Sequence, residues 1–151
     1  MLTVDKPADM KAHVGEDIGS SDWVTVDQAM IDKFADATGD HQWIHVDVAR
    51  AQQEMPGGKT IAHGFLTLSL IAGLAHQTHD IRHRSRGINY GSDRVRFTAP
   101  VPSGSRVRLK QKLLKVEDIE GGVRMTFADE MEIEGQTRPA LIAETISLAY
   151  D

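Results

Sequence analysis

Asp40 and His45 lie on a short stretch dense in polar and aromatic groups, Asp40-His41-Gln42-Trp43-Ile44-His45-Val46-Asp47. A carboxylate and an imidazole at this spacing on an irregular segment can converge on one water molecule, one accepting a proton while the other donates or orients. Taken alone, such a pair is as well explained by two solvent-facing groups beyond a helix end. A second pair, His63–Gly64, opens a long apolar run. If that run is a helix, its first N–H groups have no partner within it and its dipole places partial positive charge there. A glycine at this point lets a carbonyl oxygen approach the backbone. That is the arrangement of an oxyanion hole, in which an N–H stabilises a developing enolate. Gly64 would equally serve close packing against a sheet.

These residues need elements to hold them. The run from Thr60 to Ala75 is apolar in every direction when wound at about 100° per residue, the mark of a helix buried on all sides. It is too short to cross a bilayer, which takes roughly 20 apolar residues. Before it, Thr25 and Gln28 read as a capping box. Val26, Met30, Phe34 and Thr38, with Ile31 and Ala35 beside them, give an amphipathic helix that ends at Gly39. Asp47 caps a short helical piece from Val48 to Gln53, and 54–59 is a loop by its Pro-Gly-Gly content. Residues 3–16 show little periodicity and read as extended.

The second half alternates. Ile88 and Tyr90, then Val95 and Phe97, flank a break expected at Gly91–Ser92. Val107, Leu109, Gln111 and Leu113 share one strand face, and Val123, Met125, Phe127, Asp129, Met131 and Ile133 share another. The last strand reads with Ala140, Ile142, Ile146 and Leu148 on one face. Asp129 and Glu144 interrupt apolar faces and are expected at a solvated edge or a dimer seam. One buried helix inside a curled antiparallel sheet follows, an α+β fold in one domain over 1–151.

Composition narrows the function. A net charge of −5 with 5% aromatic residues argues against a nucleic-acid surface. With no cysteine there is no disulfide, thiolate metal site or cysteine nucleophile. The first residues lack the basic and apolar regions of a signal peptide, so a cytoplasmic protein without a membrane segment is expected. His41, His45, His76, His79 and His83 lack a metalloprotease-type pattern, and no metal or cofactor is expected. Ser69 is expected to satisfy a backbone carbonyl. Arg82, Arg84, Arg86, Arg94 and Arg96 are either a solvated face or holders of phosphate groups.

Taken together, Phe34-Ala-Asp-Ala-Thr-Gly39-Asp40-His-Gln-Trp-Ile44-His45-Val-Asp47, Ile61-Ala62-His63-Gly64 and Asn89-Tyr90-Gly91-Ser92-Asp93-Arg94-Val95-Arg96-Phe97-Thr98-Ala99-Pro100-Val101 are similar to the MaoC-like (R)-specific enoyl-CoA hydratases. Gln42–Trp43 stands where that family usually has Asn-Pro, a variant that resembles the branch of nodulation protein N. The resemblance implies a hotdog fold and a homodimer. It also implies an acyl-CoA or acyl-carrier-protein thioester substrate, hydrated reversibly at its trans-2 double bond to the (R)-3-hydroxyacyl product in fatty-acid metabolism. It assigns Asp40 and His45 as the catalytic pair and Gly64 as the oxyanion N–H. Thr60, Ile61, Ala62, His63, Arg86, Gly87, Ile88, Asn89 and Phe97 are expected to bind substrate. A hotdog thioesterase and a non-catalytic acyl-thioester binding module are the alternatives.

Overall fold

A computed structural model describes residues Met1–Asp151. Its first half supplies β1 (Leu2–Val4), a 3₁₀ turn over Pro7–His13, β2 (Asp17–Ser20), β3 (Val24–Val26), and helices α1 (Gln28–Thr38), α2 (Trp43–Val46), α3 (Val48–Glu54) and α4 (Gly64–Leu74). The second half supplies β4 (His79–Ile81) and four long strands: β5 (Arg86–Phe97), β6 (Ser105–Ile119), β7 (Gly122–Ile133) and β8 (Leu141–Tyr150). The main sheet is antiparallel in the order β2-β6-β7-β8-β5, with β3 pairing β6 beside β2. A small parallel pair joins β1 to β4.

The sheet curls around α4 as the alternation requires. Val107, Leu109 and Leu113 of β6 and Val123, Met125, Phe127, Met131 and Ile133 of β7 are all buried. The expected break in β5 is present as register shifts between Asn89 and Gly91 and between Asp93 and Arg96. Gly39 ends α1 in the left-handed conformation (φ 79°), its N–H donating to Ala35 O. Asp47 caps α3 as expected, accepting from Arg50 N–H. Ser69 donates to Leu66 O.

Several local expectations are corrected. Thr25 does not cap α1, because β3 draws it into pairing opposite Arg106. Asp27 takes that place and accepts from Met30 N–H at 2.9 Å. Residues 3–16 are not extended throughout: the Pro7–His13 turn buries Met10 completely beneath β6 and β7. Instead of fading over His76–Asp80, the chain makes a 3₁₀ turn and enters β4. The phase of β8 is shifted by one residue. Leu141, Ala143, Thr145, Ser147 and Ala149 lie opposite the inward residues of β7, and Ile142 is exposed. Asp129 is at no solvated edge but 3% exposed in the interior, whereas Glu144 does reach an exposed Arg94. Finally, α4 is covered on one side only. Leu66, Thr67, Ile71 and Leu74 are buried, while Phe65 is 69% exposed and Ser69, Ala72 and Gly73 are open with it. No helix is long and apolar enough to cross a membrane.

Candidate active site

The left-handed turn at Gly39 ends α1 and throws Asp40 off the helix, with its side chain exposed. Its N–H faces Thr38 Oγ1 at 3.3 Å, and its carboxylate faces Gln42 N–H at 3.4 Å, both long contacts. The short α2 then carries His45 inward to 6% exposure. His45 Nδ1 is 2.6 Å from Ile61 O. A carbonyl only accepts, so Nδ1 carries the proton, and in the neutral ring Nε2 holds the lone pair.

His63, the residue before α4, is 3% exposed and stacks on His45 with ring centroids 3.8 Å apart and planes at 24°. Its Nε2 donates to the backbone carbonyl of Asp40 at 2.9 Å. Its other nitrogen, Nδ1, is buried without a partner, and Phe34 closes the far side at 4.9 Å. One donor atom each of Asp40, His45 and His63 lies within 4.8 Å of the others. Two hydrogen bonds of about 2.8 Å from one water span such a gap. The same three side chains offer one ligand atom each to a metal ion, and the carbonyl bond on the other nitrogen of each imidazole is what a ligating histidine usually has.

The segment leading into α4 is occupied in holding this pair. Ile61 N–H donates to Ile44 O, Ala62 N–H donates to Val101 O, and Thr60 Oγ1 donates to Gln28 Oε1 at 2.5 Å. Gln28 in turn donates from Nε2 to His45 O at 2.7 Å. Thr60, Ile61, Ala62 and His63, expected to bind substrate, thus have direct structural work in fixing Asp40 and His45. Gln28 was not visible as a site residue. In sequence it carries only a capping signal, and its reach to His45 depends on how α1 and α2 pack.

At the start of α4, His63 O accepts from the N–H groups of Leu66 and Thr67. The N–H groups of Gly64 and Phe65 precede these and have no intrahelical partner, as at any helix start. A Cβ on Gly64 would stand 2.9 Å from the Phe97 ring, closer than real contacts allow. Phe97 therefore packs on Gly64, and it meets Phe65 edge-on at 5.8 Å. Arg86, Gly87, Ile88 and Asn89 lie at the opposite end of β5, away from the pair. Gly87, Ile88 and Asn89 border a cavity of about 530 Å³ that runs along the open side of α4, and Arg86 stacks on Tyr150 at 4.2 Å. His41 turns outward: its hydrogen bond to Asp36 (2.9 Å), helped by the Gly39 backbone, raises its pKa. Trp43 is half-buried beneath the Arg50 guanidinium at 3.9 Å.

Comparison with known proteins agrees with this layout. A family described as MaoC like domain matches residues 9–134. The chain is 51% identical over 147 residues to 3-hydroxyacyl-thioester dehydratase Z of Mycobacterium tuberculosis, covering 97% of both chains. It is 48% identical to nodulation protein N of Rhizobium leguminosarum bv. viciae, covering 93% of this chain and 89% of that one. Among solved structures, R-hydratase PhaJ1 of Pseudomonas aeruginosa superposes with a TM-score of 0.74 at 22% identity. That match covers 91% of this chain and 82% of the other, a likeness of fold.

Proposed function

The chain belongs to the MaoC-like family, and on that premise we propose that it is a hydro-lyase that adds water reversibly across the trans-2 double bond of an acyl thioester, giving the (R)-3-hydroxyacyl thioester. The observation that carries this is the approach of Asp40 and His45, whose ligand atoms lie within 4.8 Å of each other, with the unpartnered N–H groups that open α4 following His63 directly in sequence. Asp40 accepts one hydrogen of the water and His45 Nε2 accepts the other. The water oxygen bonds to C3 as the π electrons move to C2 and the thioester oxygen, and the Gly64 N–H holds the charge that gathers there. The proton taken by His45 then passes to C2 on the same face, so both new bonds form syn and both side chains return to their starting state. Arg84 lines the cavity at its His79 end and Arg86 stacks on Tyr150, so both stand away from the thioester end, where the coenzyme would leave the site.

A second copy of the chain is the partner we assign to its open side. β5 ends the sheet with a free edge, and Phe65, Tyr90 and Phe97 beside it are 69%, 57% and 48% exposed. Long unpaired edges are normally covered, and a two-fold partner would cover this edge and the bare side of α4 together.

Purified protein should consume enoyl-thioester absorbance without releasing thiol, and its product should be oxidised by an (R)-specific but not an (S)-specific 3-hydroxyacyl dehydrogenase. Asp40→Asn and His45→Gln should each lower kcat by about 10²–10⁴-fold with KM little changed. Their combination should cost little more than either alone, since both serve one event. Near-normal hydration by Asp40→Asn, or an (S) product, refutes the assignment.

A further inference from the structure

The cavity beside α4 has a polar floor that hydration at Asp40 and His45 does not use. Phe65, Ala72 and Ala75 mark its course along the helix. Eleven residues of helix put its far end about 16 Å from Gly64. At that end, Gln111 of β6 and Asp129 of β7 are direct cross-strand neighbours, 4% and 3% exposed. Gln111 Nε2 donates to Asp129 Oδ1 at 2.6 Å, and Thr145 Oγ1 donates to Asp129 Oδ2. Thr78 Oγ1 is 2.5 Å from Gln111 Oε1 and 3.2 Å from His79 Nδ1.

The protons along this chain can be placed. Gln111 spends one amide hydrogen on the carboxylate, so its oxygen faces Thr78, whose single hydroxyl hydrogen goes either to that oxygen or to Ala75 O at 2.9 Å. The Thr78 oxygen then accepts from His79 Nδ1–H. His79 is left with a lone pair on Nε2, and burial, reinforced by the charge of Arg84, lowers its pKa to about 4 and keeps the ring neutral. No protein group donates to Nε2. The sealed side-chain atoms without a partner are His63 Nδ1 and Arg124 Nε, so Nε2 opens on space. The cavity is the space that the His79 ring borders, with Phe127 stacked on the ring's face at 5.0 Å.

We infer that the acyl tail lies along this cavity and that the protein selects enoyl thioesters whose tail carries a hydroxyl group remote from the double bond, donated to His79 Nε2. This rests on the hydratase assignment above and specifies its substrate class. A wholly apolar tail of the same length would strip water from Nε2 and leave it unpaired, and a site built to bond a hydroxyl discriminates against the analogue lacking one. Inward-facing Thr145 and Ser147 on β8, small where a filled core would carry bulk, line the cavity and leave the tail its room.

The test compares hydration of three trans-2-enoyl coenzyme A substrates by the intact protein. One is short, and two are long chains of equal length ending in a methyl or a hydroxyl group. Turnover of the short substrate reports the hydratase assignment alone, and its absence sinks that assignment whatever the tails do. Given turnover, kcat/KM should favour the hydroxylated tail by about 10- to 100-fold. In His79→Leu the order should reverse in favour of the methyl tail. Equal kcat/KM for the two long substrates in the wild-type protein overturns the inference with no variant needed. So does a hydroxyl preference that survives in a folded His79→Leu protein.

Discussion

Replacing His63 with Phe should leave stability within about 0.5 kcal/mol of the original or raise it, and make the protein markedly less active. The imidazole does two things that Phe separates: it stacks on His45 at 3.8 Å, and it donates to the Asp40 carbonyl at 2.9 Å. Phe keeps the ring and the stack and loses the donor. Losing that hydrogen bond costs about 0.5–1.5 kcal/mol net, and the exposed Asp40 backbone can turn to water. Against this, Phe removes Nδ1, which is buried without a partner at a standing cost of about 1–3 kcal/mol. The balance runs from a loss of about 0.5 to a gain of about 2.5 kcal/mol, and each kcal/mol moves Tm by about 2–4 °C in a chain of this size. Activity moves the other way. The remaining anchors of Asp40 are contacts of 3.3 and 3.4 Å, so without His63 its carboxylate drifts from the water. A misplacement of about 1 Å costs on the order of 10²-fold. Thermal melting and enoyl-thioester absorbance on the same preparation give both readouts, with kcat falling about 10- to 100-fold and KM near its original value. His63→Gln, which puts an amide donor near the place of Nε2 without the ring, should recover part of the kcat loss. A His63→Phe protein that keeps its kcat within twofold, or a Gln variant no better than Phe, refutes the positioning role.

The buried polar floor has a pH signature. His79 titrates near 4 in the folded chain against 6.5 unfolded, so the unfolded state takes up the proton first and stability falls as pH drops from 6.5 through 4, by up to about 3 kcal/mol. Burial, partly countered by the Thr145 and Gln111 hydrogen bonds, raises the Asp129 pKa. Its contribution has the opposite sign and is lost as pH rises through the folded value. Denaturant titrations across pH should therefore show a flatter acid limb for His79→Leu and higher stability near neutrality for Asp129→Asn; an unchanged acid limb in His79→Leu counts against a neutral buried ring. In sedimentation at micromolar concentration the protein should run as a dimer and Tyr90→Glu as a monomer. A wild-type monomer there would remove the second copy from the bare side of α4.

How far these features were legible depends on whether a residue's partners are near in sequence. Gly39 and Asp47 act within a turn of themselves, and both lie where their types require. The inward faces of β6 and β7 follow strict alternation, and alternation is what a half-buried strand enforces. Thr25 and Asp27 can both cap a helix, and only the pairing of β3 with β6 decides between them. His63 carried a motif but no sign of its stacking on His45, because that contact joins two segments through the packing of α2 on the start of α4. The all-round apolarity of the central run predicted burial on every side, whereas the fold of this chain covers one side only and leaves Phe65 exposed, because a period count cannot say how much of the cover a single chain supplies.

The shifted phase of β8 has a cause that bears on function. Apolar residues occupy both parities of that strand: Ile142, Ile146 and Leu148 on one, Leu141, Ala143 and Ala149 on the other. Bulk favours the first set, and a tightly filled core would have chosen it. Pairing with β7 instead turns Ala143, Thr145, Ser147 and Ala149 inward, a choice that forfeits dispersion contacts and brings hydroxyl groups into the interior. Such a conflict between local pattern and global register persists where the resulting space is used. Here the space is the cavity along α4, and Thr145 on its wall is the second donor, beside Gln111, to the carboxylate of Asp129. Filling it should separate the two demands. Thr145→Val keeps the shape and removes the hydroxyl, leaving Asp129 one donor short. A hydroxylated tail should then lose affinity as the Gln111 and His79 chain relaxes, while a short enoyl substrate, which ends before the floor, should not register the change in its KM.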